Sequence, residues 1–124
     1  MEGTTGMSKL KSARTAQLDE GEPGLPDPGK LLEGAPEFRS WSLIEGPVAA
    51  GVWAATPGHH RVVRDGDLIE SFYIVEGEID LYEDGQPAPR RFGPGDLVVL
   101  EPGFTGSWKT ISPMRKIYFT TTRA

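Results

Sequence analysis

From residue 39 onward, apolar and polar positions fall into short runs, and each run stops at a turn. The runs read RSWSLI, AAGVWAAT, HRVVR, IESFYIV, EIDLY, PRRF, DLVVLE, GSWKTI and RKIYFTTT, separated by EGP, PGH, RDGD, EG, EDGQP, GPG, PGFT and SPM. Short β-like runs recurring about every ten residues predict an antiparallel sandwich or barrel. No useful stretch sustains a 3.6-residue period, so a helix bundle is not expected. FYIV and LVVL are apolar at consecutive positions, so both faces of those strands need cover. One face belongs to a lumen. The other needs a second sheet, an N-terminal arm or a neighbouring subunit, which predicts a homodimer.

The pattern changes near position 40. Residues 1–40 hold one aromatic, Phe38, and the other ten lie from Trp41 onward. The segment DEGEPGLPDPGKLLEGAP, Asp19 to Pro36, is too rich in Gly, Pro and acids to offset its ordering entropy by burial. Residues 1–40 are therefore expected to be a flexible tail and arm, and 41–124 a barrel. Within the first part, 1–18 reads as a mobile tail with a helical fragment around Leu10–Leu18. Residues 19–37 read as an extended arm along the barrel or a partner subunit, or else as plain disorder.

Composition narrows the chemistry. The 124 residues suit one domain. The chain has no cysteine, which excludes disulfides, a thiolate nucleophile and Cys-ligated metal, and its two histidines exclude a His-rich site. Sixteen glycines and eleven prolines make roughly a fifth of the chain, against ~12% on average. A net charge of −5 argues against nucleic acid as a partner. No apolar run approaches a membrane span. Lys9, Lys11 and Arg14 are followed by no apolar leader, so a cytoplasmic location is expected.

Two stretches resemble the paired motifs of the cupin superfamily, the small jelly-roll barrels. Gly58, Glu70 and Gly77 sit at the spacing of the first motif, within a stretch ending ESFYIVEGEIDLY. Gly95 and Gly103 sit at the spacing of the second, in GPGDLVVLEPGFTGSW, with Pro102 one position late. The resemblance covers about residues 41–121 and implies an all-β double-stranded helix. The wider pattern is similar to a short branch that includes the cupin domains of ureidoglycine aminohydrolase and of an ethanolamine-utilisation protein. In the superfamily, two histidines of the first motif, one of the second and the glutamate hold a divalent metal. Those positions here are Arg64, Gly66 and Gly106, and only Glu70 remains. Glycine offers no ligand and a guanidinium repels a cation, so neither metal nor cofactor is expected.

The resemblance places Glu70 in the lumen, where desolvation is expected to raise its pKa and suit it to acid–base work. The alternative is a structural glutamate paired with Arg64 or Arg61. Strand parity selects His60 over His59 as the histidine facing the lumen, able to form with Glu70 an acid–base pair or a weak two-ligand metal site; a surface turn is the alternative. Trp53, Tyr73, Trp108 and Tyr118 are candidate walls. Trp108, two residues past Gly106, is expected to offer a flat surface where the glycine leaves room, for a small planar or cationic ligand; core packing is the alternative. Arg61, Arg64, Arg115 and Lys116 are candidates for an anionic group; a solvated salt bridge with Asp65, Asp67 or Glu101 is the alternative. Three functions follow. The leading one is a metal-free cupin holding a small polar metabolite between Glu70, Arg64 and Trp108. The second is a small hydrolase or isomerase, similar to ureidoglycine aminohydrolase, with Glu70 as acid or base. The third is a structural dimer whose lumen is filled. A lumen of a few hundred Å³ with Glu70 and Arg64 converging keeps the first two. A lumen filled by Trp108, Phe72 and Ile74 removes both.

Overall fold

A computed structural model describes residues 8–122. Among them eleven strands occur: β1 (Glu22–Gly24), β2 (Leu31–Gly34), β3 (Phe38–Ile44), β4 (Val48–Ala55), β5 (Gly58–Val63), β6 (Leu68–Glu76), β7 (Ile79–Glu83), β8 (Arg90–Phe92), β9 (Leu97–Leu100), β10 (Thr105–Thr110) and β11 (Met114–Thr122). All pair antiparallel. One sheet runs in the order β1-β3-β4-β11-β6-β9, and the other β2-β5-β10-β7-β8. The nine apolar runs of the sequence coincide with β3 to β11. The fold is the antiparallel all-β barrel that the pattern predicts, and the jelly roll that the cupin resemblance implies.

The two sheets close on one core. Trp108, Phe72, Ile74 and Ile79 are fully buried, packed with Val62, Leu81, Val98, Leu100 and Met114. Removing a side chain the size of Phe72 from water stabilises the fold by about 1.5–3 kcal/mol. The turn from β6 to β7 has a specific requirement. Gly77 has φ +84°, and a Cβ there would lie 2.3 Å from the carbonyl oxygen of Pro113. Only glycine meets both conditions.

The N-terminal arm is tied to both sheets. β1 pairs with β3 and β2 with β5, one strand on each layer. Trp41 Nε1 donates to Asp19 Oδ1 at 3.0 Å, and Arg115 Nη1 donates to the Thr15 carbonyl at 2.5 Å. The composition break near position 40 falls inside β3. The helical fragment expected at Leu10–Leu18 is absent: a single turn bond, Gln17 N–H to Arg14 carbonyl, is formed there. Two leucines eight residues apart make no apolar stripe to bury, and so short a helix is marginal alone. The part of the expected mobile tail at residues 1–7, like residues 123–124 of the expected barrel, lies outside the described residues. No helix of the described residues is long and apolar enough to cross a membrane.

Candidate functional site

Period-two geometry turns alternate residues of β5, β6, β10 and β11 into the space between the sheets. Trp108 lies opposite His60 in register, and Lys116 lies between Trp53 and Ile74. The result is a cavity of about 280 Å³ lined by Trp53, His60, Arg64, Glu70, Trp108 and Lys116, with Val62, Leu68, Tyr118 and Thr120 completing the wall. Phe72 and Ile74 fill only the space beyond it. A larger hollow of about 950 Å³ lies between the arm and β3, but it is an open seam that holds none of these residues.

Glu70 is the centre of the cavity and is 3% exposed. Its Oε1 accepts from Arg64 Nε at 2.8 Å and from Arg64 Nη2 at 2.5 Å, and its Oε2 accepts from Lys116 Nζ at 2.6 Å. The Lys116 ammonium sits in an aromatic cage, 4.5 Å from the ring centres of Phe72 and Trp108 and 4.7 Å from that of Trp53. Such cation–π contacts strengthen where water is excluded. Trp108 satisfies its own N–H on Thr110 Oγ1 at 3.0 Å. The His60 ring stacks over Trp108, 6.3 Å between centres, and its buried Nδ1 has no hydrogen-bond partner among the described residues.

The family model of the EutQ-like cupin domain matches residues 44–118. The chain belongs to this cupin family. Among solved structures it is similar to a Pseudomonas syringae pv. tomato protein of unknown function in the DUF861 family, at 28% identity and TM-score 0.71, over 88% of this chain and 46% of that one. It is also similar to the Clostridium difficile EutQ protein (18% identity, TM-score 0.60, 70% of this chain and 64% of that one). A third is the ethanolamine utilization protein Q of Salmonella typhimurium (15%, TM-score 0.59, 73% and 72%). The two EutQ likenesses establish the fold alone. This cupin spans about half the length of the first structure and just under two thirds of the second. No curated protein matches it.

The cupin's lumen brings together seven of the ten candidate residues of the sequence: Glu70, His60, Arg64, Trp108, Trp53, Lys116 and Tyr118. Arg61 and Arg115 lie outside it, and so does Tyr73. Tyr73 is 45% exposed on the outer face, because Glu70 and Phe72 point inward and their neighbour on β6 must point out. His59 also faces outward, its Nε2 2.8 Å from Ser107 Oγ. Arg61 is taken up by Asp84, and Arg115 by Thr15. Thr120, Val62 and Leu68 escaped the sequence reading, although continuing the parity of β11 from Lys116 reaches Thr120 directly. The cage is also not free for a cationic ligand, since the protein's own ammonium occupies it.

The expected rise in the Glu70 pKa is overturned. Desolvation pushes it up, but Lys116 and Arg64 together pull it down to about 2. A carboxylate held this firmly in its charged form is a weak base and carries no proton to give. His60 is lowered to about 4, by burial first and then by Lys116, so it is neutral at pH 7. Burial lowers Lys116, and Glu70 opposes that shift. This donor set does not fit a divalent metal. Both Glu70 oxygens already serve cations, and among the described residues no three His, Cys, Asp or Glu side chains converge.

These shifts set an acid limit. A depressed folded-state pKa contributes stability above the unfolded value that is lost as pH falls to the folded one. The share of His60 disappears between about pH 6.5 and 4, and that of Glu70 between about 4.5 and 2. The melting temperature is expected to fall in two overlapping legs on acidification, and His60→Asn to flatten the upper one. Calorimetry from pH 7 to 3 on both proteins checks this; identical profiles would refute it.

Proposed function

We propose that this cupin binds a small anionic metabolite, a carboxylate above all, in its lumen, with Arg64 as the receiving cation. The observation that supports it is the charge balance around Glu70. One carboxylate faces two cations, and His60 is neutral, so one unit of positive charge remains. Lys116 is buried in its cage, whereas the Arg64 side chain is 23% exposed at the cavity. Two of its N–H donors go to Glu70, one weaker contact of 3.4 Å goes to the Val63 carbonyl, and the others are available to an anion. The cavity sits at the small end of ligand sites, which start near ~300 Å³.

Thermal-shift and calorimetric titration with two- to six-carbon carboxylates, against the matching amides and amines, tests the reading. Carboxylates are expected to bind and raise the melting temperature, and the amides and amines to do neither. Arg64→Gln keeps the Glu70–Lys116 pair intact, so it should fold normally and bind about ten- to hundredfold more weakly, the value of one or two charge-assisted hydrogen bonds. A protein that binds no carboxylate, or binds equally well without Arg64, sinks the proposal.

A further inference from the structure

The donors and acceptors of the lumen can be counted one by one. Lys116 gives its ammonium to Glu70 Oε2 and to three aromatic rings, and is 5% exposed. Arg64 is divided more finely. A guanidinium is planar and holds five N–H donors in a fixed fork. The edge made by Nε and Nη2 faces Glu70, and both donors go to Oε1. One Nη1 donor turns to the Val63 carbonyl. One N–H on Nη1 and one on Nη2 remain, which is a two-point match for a single carboxylate. No further cationic side chain lines this cavity among the described residues.

A ligand ammonium finds no place either. The two Glu70 oxygens already receive three N–H donors, and Lys116 and Arg64 repel another cation. What the wall adds is a neutral hydroxyl. Thr120 lies opposite Glu70 in the pairing of β11 with β6, and both side chains turn inward. Side chains so paired have Cβ atoms about 4.5–5.5 Å apart. Among the described residues the Thr120 hydroxyl has no hydrogen-bond partner. Thr120 is therefore next to the carboxylate that Arg64 grips, and close to the remaining donors of Arg64.

We propose that the lumen selects a singly charged acid, a short monocarboxylate with a hydroxyl or oxo group close to its carboxylate. Arg64 holds the carboxylate and Thr120 reads the neutral oxygen. This rests on the carboxylate reading above and names its substrate class. Dicarboxylates and amino acids are shut out for opposite reasons. The second carboxylate meets no cation, and the ammonium meets no carboxylate with room for it. Taking a charge out of water without a partner costs far more than burying a neutral hydroxyl, so the discrimination is by net charge first. The Thr120 hydroxyl both donates and accepts, so it serves a hydroxyl and an oxo group alike.

Calorimetric titration at neutral pH with three-carbon acids tests this, because the size is held constant and only the end group varies. Propionate, lactate and pyruvate are expected to bind. Lactate and pyruvate should bind about two- to tenfold more tightly than propionate, the worth of one neutral hydrogen bond. Malonate and alanine should bind at least about tenfold more weakly than propionate. Thr120→Val keeps the shape of the side chain, so circular dichroism should be unchanged and propionate should bind as before. The advantage of lactate and pyruvate should disappear. The outcomes separate the two readings. If none of the five acids binds, the carboxylate site itself falls, and this selection with it. If propionate binds through Arg64 but malonate or alanine binds equally well, the carboxylate site stands and the selection by charge is overturned. If Thr120→Val keeps the advantage of lactate and pyruvate, the role of Thr120 is overturned.

Discussion

Glu70→Gln is expected to destabilise this cupin by about 3–5 kcal/mol, while Lys116→Met costs clearly less. The asymmetry comes from what each change leaves behind. Removing the carboxylate charge strands an ammonium that is 5% exposed, ringed by three aromatics, with a guanidinium nearby. An uncompensated buried charge costs about 3–5 kcal/mol, a large part of the ~5–15 kcal/mol that holds a domain together. Removing Lys116 leaves Glu70 still bonded twice to Arg64, so no charge is orphaned. Glu70→Leu combined with Lys116→Met removes both buried charges and should recover most of the loss, since well-packed apolar replacements of buried pairs are often neutral. The pH dependence separates this account from mere loss of packing. Without Glu70 nothing opposes the burial that lowers Lys116, so its pKa falls further below 10.5. A depressed pKa restores stability as pH rises toward the unfolded value, so the Glu70→Gln deficit should shrink on going from pH 7 toward 10.5. Denaturant melts of the four proteins at two pH values measure all of this. Equal costs for the two single changes would contradict the asymmetry.

Strand parity was the most informative feature of the sequence, and where it was applied it held. It placed His60 and Arg64 on one face and His59 on the other. Tyr73 went astray because it was chosen for its chemistry; counting from Glu70 along β6 turns it outward. The sign of the Glu70 pKa was not legible. It depends on Lys116, forty-six positions away, and on the pairing of β6 with β11, which includes a register shift between Arg115 and Lys116. Local pattern carries no information on such a register. The arm was legible as extended but not as strands, because EPG and LLEG have no alternation of their own. Their pairing is dictated by the free sheet edges of β3 and β5.

Gly106→Ala is expected to cost about 3 kcal/mol, and Gly106→His more, whether or not metal is supplied. This is the position where the cupin pattern keeps its second-motif histidine. The sequence alone suggested a glycine that leaves room for a ligand; the structure shows none. A Cβ at Gly106 would lie 1.9 Å from the carbonyl oxygen of Tyr82 and 3.0 Å from the Phe104 ring. Here β10 runs between β5 and β7, paired to both, so the clash is with backbone held on two sides. Overpacking at such a place costs ~1–3 kcal/mol or more, because no side chain can yield. The other glycine at a lost ligand position behaves differently. A Cβ at Gly66 meets nothing within 4 Å, so Gly66→Ala should stay within about 0.5 kcal/mol of wild type. In a domain of this size, about 3 kcal/mol lowers the melting temperature by roughly 10 °C. Gly106→Ala is therefore expected to melt far below Gly66→Ala, and a Gly106→Ala protein that melts with the wild type would show that the strands can part. The close approach of β7 to β10, not merely the exchange of one side chain, excludes a histidine from the second motif.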